Sequence, residues 1–390
     1  MNEIEHQVTA LVALLAVAVV VSVVADRIGI PYVVALLIVA APIDIPSSEA
    51  FAPALLFVFL PALVFEAAWN VRADALKRRW LPVAVLAIPG VLITAGFVGA
   101  GLALTGQMPF IPALLLGAIL AATDPIAVLA VFKRLSVPTD LATIVEGESL
   151  LNDGAAIVLY GVVIGILTGH GGPPTPLEIA WTALSTSLGG AAIGFVVAAL
   201  VALLLRDNDG SQLQVAGTIV AAFGAYLAAE HFHLSGIFAA VVVGISMRAF
   251  PRFPSLVGTV DVNAFWSAIA FLANVLVFVL MGFRIEFRQI IAEPRLVLLT
   301  LAFITFARIT VAYVVLPLAS RGVPPAWRSV IALSGMRGAL SVALVIGLPA
   351  NVPFREQLVD AVYGTVLITL VAQGLAIGPV ISRLRLAPAD

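Results

Sequence analysis

Residues 146–156 read EGESLLNDGAA, and the apolar run AAIVLYGVVIGIL begins within them at residue 155. Carboxylates at Glu146, Glu148 and Asp153, a hydroxyl at Ser149 and a carboxamide at Asn152 are thus set into sequence that looks built for lipid. On a helix advancing about 100° per residue, Glu146, Ser149, Asn152 and Asp153 fall within roughly a 120° arc, with Glu148 flanking it on the Asn152 side. That stripe offers carboxylate, hydroxyl and amide oxygens, hard ligands suited to a hard cation such as Na⁺. A carboxylate among them also takes a proton, and the proton removes the charge that would hold the cation. The residues therefore support competitive binding of a monovalent cation and a proton.

Ionisable groups inside membrane spans cost about 2.5 to 3.5 kcal/mol each on insertion scales and are usually functional. Besides the three acids above, the apolar segments contain Glu66, Asp124, Arg308 and Arg337. Glu66 stands near the end of its segment, where snorkelling to the surface competes with a binding role. Glu146 lies early in its helix, where favouring the helix N-terminus is an equally good account. Asp124 and Asp153 lie too deep for either, so a structural ion pair is the alternative to cation binding. Arg308 and Arg337 are read as structural partners. Glu230 falls at the outer end of its segment and is read as interfacial.

Two segments carry interruptions at mid-span. In GAILAATDPIAVLAVFKR, Pro125 lacks an N–H and clashes with the carbonyl of residue 121, so the helix is expected to break near Thr123 and Asp124. Carbonyls freed at membrane depth are tolerated only where they line a cavity or are buried in protein. In VIALSGMRGALSVALVIG, Gly335 and Gly338 weaken the helix around Arg337. One interrupted segment runs outside to inside and the other inside to outside. Such a pair, one in each half, points to an inverted-repeat secondary transporter.

The elements that must position these residues are all membrane helices. The chain is 62% hydrophobic and 11% charged, with a mean hydropathy of +1.14, against about 25% charged residues in soluble domains. A span needs about 20 apolar residues. Punctuation by Pro, Gly and charge gives thirteen segments: 8–25, 31–43, 51–68, 80–104, 110–132, 140–167, 177–205, 213–230, 234–249, 262–283, 295–318, 326–349 and 358–383. With the N-terminus outside, the inner loops hold 14 of the 20 basic residues (Arg27, Arg72, Lys77, Arg78, Arg79, Lys133, Arg134, Arg206, Arg248, Arg252, Arg321, Arg328, Arg383 and Arg385). The outer loops hold Arg284, Arg288, Arg295 and Arg355. That bias is the positive-inside pattern and puts the C-terminus in the cytoplasm. The start MNEIEHQ is acidic, unlike the basic opening of a cleaved signal, so the first segment is expected to be retained. No stretch between segments is long enough for a soluble domain.

Composition also excludes. A net charge of −2 offers nothing to nucleic acid, and the absence of Cys removes disulfides, thiolate metal sites and Cys nucleophiles. His6, His170, His231 and His233 fall at helix ends or loops, so a His-built metal centre is not expected. There is no HExxH, no paired intramembrane His and no GxxxxGK[ST], so neither an intramembrane enzyme nor an ATP-driven pump is indicated and no cofactor is expected.

The motifs ATDPIAVLAVFKRLSVP, EGESLLNDGAAIVLY, LPALVFEAAW and GMRGALSVAL resemble, in order and over nearly the whole chain, the monovalent cation–proton antiporter family in its sodium/proton exchanger branch. The resemblance implies an all-α polytopic fold of about thirteen transmembrane helices, with the fifth and twelfth discontinuous and crossing each other. It implies a single transmembrane domain over 1–390, with a mobile core part near 80–168 and 295–383, a dimerisation part near 1–68 and 177–283, and a homodimer. By the same resemblance Asp153 is the shared cation and proton carrier, with Asp124 beside it. Thr123 through its backbone oxygen, Ser149 and Glu66 complete the Na⁺ shell, and Asn152 is part of the site. Glu148 pairs with Arg308, and Arg337 balances helix-end dipoles at the crossing.

Arg308 cannot deprotonate and Asn152 does not titrate, so Asp153 alone predicts one proton per Na⁺ and electroneutral exchange, with Asp124 as a coupled acid that complicates the count. Li⁺ fits the same reading, and K⁺ or another monovalent cation is the alternative. The residue usage, Arg-rich with only two Lys (Lys77 and Lys133), points to a prokaryotic source and to a multi-pass protein of the cell membrane.

Overall fold

The computed structural model describes residues 3–30, 32–40, 52–169, 176–206, 210–249, 260–283, 294–320 and 322–386. Arg252, Arg284, Arg288, Arg321 and His170, the ends of the second segment and the side chain of His6 lie outside the described residues. Among the described residues every regular element is helical. The helices are α1 Glu3–Ile28, α2 Tyr32–Ala40, α3 Ala52–Asn70, α4 Ala73–Leu104, α5 Phe110–Ile119, α6 Ile126–Arg134, α7 Thr139–Leu167, α8 Pro176–Leu205, α9 Ser211–His231 and α10 Gly236–Ala249. They continue as α11 Val260–Phe283, α12 Pro294–Ala319 with a π-helical turn at Val311–Val315, α13 Pro325–Leu333, α14 Ala339–Ile346 and α15 Arg355–Arg383.

Each of the thirteen segments corresponds to a helix, and the fifth and twelfth each appear as two: α5 with α6, and α13 with α14. Local chemistry accounts for several irregularities. The backbone of α4 kinks at Arg79 (φ −112°, ψ 19°), three residues before Pro82, whose ring displaces the preceding turn. Beyond the kink, residues 80–104 of α4 carry no charged side chain. In α12 the π-helical turn precedes Pro317, which has no N–H to return to Tyr313.

Among the described residues seven helices are long and apolar enough to cross a membrane, and three shorter apolar ones accompany them. The outward side chains are apolar as well: Val20 of α1, and Leu188, Leu200 and Leu204 of α8, are all at least 60% exposed. A continuous apolar exterior of this kind is a liability in water and the requirement in lipid.

Packing forms two groups. In one, α4 lies against α5, α7 and α12, and α15 packs on α12 and α14. In the other, α10 lies against α3, α8 and α9, and α11 packs on α2, α3 and α9. Ala221, Ala222, Ala225 and Ala229 bury one face of α9. Small side chains let backbones approach closely, which is how membrane helices gain contact without a hydrophobic driving force. Val275, Phe278 and Val279 of α11, with Val33, Val34, Leu36 and Leu37 of α2, extend from the second group into the apolar core of the first. The candidate site lies along that seam.

Candidate cation site

The α5–α6 break releases carbonyls that no helix can satisfy, and side chains claim them. Ser341 Oγ donates to Ile119 O at 2.8 Å. Arg337 Nη1 donates to Ala121 O at 3.0 Å and to Ala122 O at 3.2 Å. Ser149 Oγ donates to Thr123 O. A guanidinium at the end of α5 also complements the negative end of that helix.

The α13–α14 break meets the first one directly. Asp124 N donates to Met336 O at 2.8 Å, a backbone hydrogen bond between the two interruptions. The Asp124 carboxylate accepts the N–H of Ile126 at 3.0 Å and also takes the N–H of Ala339. One carboxylate thus caps the first residues of both α6 and α14, where unpaired N–H groups and the positive helix end favour it. Gly338 is required by this approach, since a Cβ there would fall on the Asp124 side chain. Gly335 serves the other side: a Cβ would sit 2.9 Å from Arg308 Nε. Arg308 reaches across to the end of α13, where Nε and Nη2 donate to Ile331 O at 3.1 and 2.8 Å.

On α7 the polar residues divide by direction. Glu148, 1% exposed, accepts both terminal nitrogens of Arg308, with Nη2–Oε2 at 2.9 Å. This is a bidentate, charge-assisted pair. Asn152 braces the first break, its Nδ2 donating to Thr123 Oγ1 at 2.7 Å and its Oδ1 accepting from Thr123 N at 3.4 Å. Ser149 and Asp153 face a cavity instead. Asp153 Oδ1 is buried and makes no hydrogen bond to the described residues.

That cavity has a volume of about 630 Å³. One wall is the Thr123–Asp124 break, α6, the Ser149–Asp153 face of α7, and α14. The other wall is α3 and α11, including Glu66, Asn70, Ser267 and Asn274. Glu66 lines the cavity with its carboxylate hydrogen-bonded by Asn70 Nδ2 at 2.6 Å, and Glu146 lines it nearby. Asn70, Ala130, Lys133 and Ser267 are exposed, so the cavity opens at the Lys133 end. The deep end holds Asp124 and Asp153 with Thr123 and Ser149. This arrangement of oxygen donors can hold a small cation, and its unpartnered carboxylate can hold a proton.

The sequence profile described as "Sodium/hydrogen exchanger, transmembrane" matches residues 11–383. The chain belongs to this family. It is 35% identical over 374 residues to the Na(+)/H(+) antiporter ApNhaP of Aphanothece halophytica, covering 92% of this chain and 70% of that protein. It is 34% identical over 349 residues to the Na(+)/H(+) antiporter NhaP of Pseudomonas aeruginosa, covering 86% of this chain and 82% of that one. The fold is that of the sodium proton antiporter MjNhaP1 from Methanocaldococcus jannaschii at pH 8, with a TM-score of 0.83, 21% identity and coverage of 99% and 100% of the two chains.

Within this exchanger the structure gathers Thr123, Asp124, Ser149 and Asp153 at the crossing. Arg337 sits beside them on the α5 carbonyls. Asn152 acts on Thr123 and does not line the cavity, and Glu66 and Glu146 stand on the way to the opening. The Glu148–Arg308 pair lies behind the cavity face of α7. Glu230 accepts the N–H of Gly236 at 3.2 Å and so caps α10. Among the described residues no three His, Cys, Asp or Glu side chains are grouped so that they could hold a metal ion. Sequence reasoning missed Ser341 and Thr369, whose hydroxyls hold Ile119 O and the N–H of Arg337, and the cavity-lining Asn274. Their signal was faint: single neutral polar residues on otherwise apolar helices, without the insertion cost that marks a charge.

Proposed function

We propose that this chain is a secondary antiporter that exchanges Na⁺, or Li⁺, for H⁺, one for one, with Asp153 as the shared carrier. The observation that carries the reading is the buried Asp153 oxygen left without a partner in a cavity, beside Ser149, Thr123 and Asp124 at the crossing of two broken helices. A carboxylate so placed is satisfied by a cation or by a proton, and each expels the other. Asp124 is committed to two helix ends, so it shapes the field at the site while Asp153 loads and unloads. Arg308 and Asn152 do not titrate, which leaves one proton carried per cation and net movement of no charge.

Alternating access follows from the division of the walls. The group built on α4–α7 and α12–α15 moves against the group built on α1–α3 and α8–α11, and the loaded carboxylate travels with the first. Protomers pair through the second group as a homodimer. The protein works in the cell membrane of a prokaryote with the N-terminus outside. The cavity opens at the Lys133 end, and Arg78 and Arg79 share that end, bound to Asp140 at 3.1 and 2.9 Å. By the positive-inside bias this end is cytoplasmic, and the arrangement is the inward-facing one. The ion gradient is the driving force, and no resident cofactor takes part.

The test is a pH-gradient dequenching assay in proteoliposomes, with Na⁺, Li⁺ and K⁺ supplied in turn. Na⁺ and Li⁺ are expected to dissipate the gradient at a rate indifferent to an imposed membrane potential. Because one proton competes with one cation, the apparent KM for Na⁺ should approach about a tenfold rise per pH unit on the acid side of the titration. Clear voltage dependence would defeat the one-for-one scheme, and dequenching by K⁺ alone would reassign the cation.

A further inference from the structure

Asn274 stands on α11, two turns beyond Ser267, and both line the cavity together with Val277. Asn274 is 4% exposed. Its Nδ2 donates to Ala270 O at 2.8 Å, one turn back along the same helix. That bond, together with a hydrogen bond between the carboxamide and the Tyr32 hydroxyl, orients the group. Asn274 Oδ1 is buried and accepts no hydrogen bond from the described residues. Tyr32 of α2 closes the neighbouring surface, its ring centroid 5.4 Å from that of Phe271, one turn before Asn274.

Among the described residues, two buried oxygens that line the cavity accept no hydrogen bond, and they stand on opposite walls. Asp153 Oδ1 belongs to α7 and Asn274 Oδ1 to α11. Leaving a buried acceptor unsatisfied costs free energy that a ligand restores. On the α7 wall, Ser149 and Thr123 are already joined to each other by a hydrogen bond, so the donor set there is preformed. On the α11 wall a neutral amide oxygen, a hard ligand suited to an alkali cation, belongs to a carboxamide held by Ala270 O and by the Tyr32 hydroxyl, and it accepts no hydrogen bond from the described residues.

We infer that the Asn274 amide oxygen is a cation ligand contributed by the α3–α11 wall, completing the shell around the ion loaded on Asp153 and helping to select among alkali cations. The inference rests on the antiport reading above. An amide oxygen carries no titratable charge, so it favours the cation without competing for the proton. It adds affinity and size preference to a site whose proton coupling resides in Asp153. Because it belongs to the wall opposite α7, its contact is made in this arrangement and broken when the α7 group moves away.

The experiment measures KM and Vmax for Na⁺ and Li⁺ in proteoliposomes for the full-length wild type and for Asn274→Leu, which keeps the volume and removes the oxygen, with thermal unfolding of each protein. The expected result is a rise in Na⁺ KM of about tenfold, Vmax within about twofold, a changed ratio of Na⁺ to Li⁺ KM and an unaltered unfolding temperature. The pH dependence at saturating Na⁺ should not move. Asn274→Ala serves if the Leu variant does not fold, with the same expected KM shift. Unchanged KM for both cations in a folded variant would overturn the inference alone. So would a parallel loss of Vmax and thermal stability with the Na⁺ to Li⁺ ratio intact, the mark of a structural amide. A wild type that exchanges protons for no cation would overturn the antiport reading and this inference with it.

Discussion

Glu148 and Asp153 are five residues apart on α7, both deep in the helix, yet they meet opposite surroundings. Glu148 is held by two nitrogens of Arg308, which is itself fixed on Ile331 O. Asp153 faces the cavity with one oxygen unpartnered. Depth in the membrane is common to the two and does not separate their roles. The partner does: a carboxylate saturated by a guanidinium holds helices together, and one left open is available to exchange what it binds.

The largest effect should come from converting the open acid. Asp153→Asn keeps the shape and removes the charge, so exchange should fall by about 100-fold or more, while thermal unfolding stays close to wild type because no ion pair is lost. Retained exchange in a folded Asp153→Asn protein would collapse the distinction between the two acids. The closed acid should behave in the reverse manner. Glu148→Gln leaves Arg308 buried without a counter-charge, at a cost of about 3–5 kcal/mol. Thermal unfolding in detergent should drop sharply, while the Na⁺ KM of the surviving folded fraction changes little. The paired replacement Glu148→Leu with Arg308→Met should recover most of the loss, since exchanging a buried ion pair for apolar groups of similar volume is often neutral. A large KM shift with unaltered stability in Glu148→Gln would assign Glu148 to the ion path instead.

Asn152 sharpens the comparison from between the two acids. Its carboxamide donates to Thr123 Oγ1 and accepts from Thr123 N, so it fixes the break without facing the cavity. Asn152→Asp places a second acid one residue from Asp153. Thr123 Oγ1 can then donate to the new carboxylate in place of accepting, so the protein should fold. The Na⁺ KM should rise by about 3- to 10-fold as the bracing weakens. The decisive readout is the membrane potential: a second titrating group should make exchange voltage-dependent. Voltage-independent exchange in Asn152→Asp would show that this residue does not set the stoichiometry.

Much of this was readable in the residues because lipid makes errors expensive. Apolar runs long enough to span, Pro125 at mid-span and charges that should not be there each carry a cost that only a structure can offset, so each announces its own explanation. The two breaks, and the acids at them, were legible for that reason. The contacts between the breaks were not. That Asp124 would cap both α6 and α14, and Arg337 collect the carbonyls of α5, depends on how two segments more than 200 residues apart cross. The glycines beside Arg337 read locally as points of weakness, but their tighter role is spatial: Gly338 admits Asp124, and Gly335 admits Arg308. Neutral residues were hardest to see. Asn274 and Ser341 pay little insertion penalty, and their importance comes from which oxygen or carbonyl they happen to face.

The smallest effect tests how finely the cavity face is built. Ser149 lines the cavity and donates its hydroxyl hydrogen to Thr123 O. The hydroxyl oxygen thereby keeps its lone pairs for a cation, and the Thr123 carbonyl is held in place beside it. Ser149→Ala removes one neutral ligand and frees a carbonyl that still has a lone pair to offer, so the loss is about one net hydrogen bond, 0.5–1.5 kcal/mol. That converts to a rise of about 2- to 12-fold in Na⁺ KM, with Vmax and voltage independence retained. Ser149→Thr keeps the hydroxyl and should recover most of the affinity if its added methyl is accommodated on the cavity side. If Ser149→Ala instead abolishes exchange as Asp153→Asn does, the carrier is the hydrogen-bonded unit of Ser149, Thr123 and Asp153 together, and the open acid alone is too narrow a description of the site.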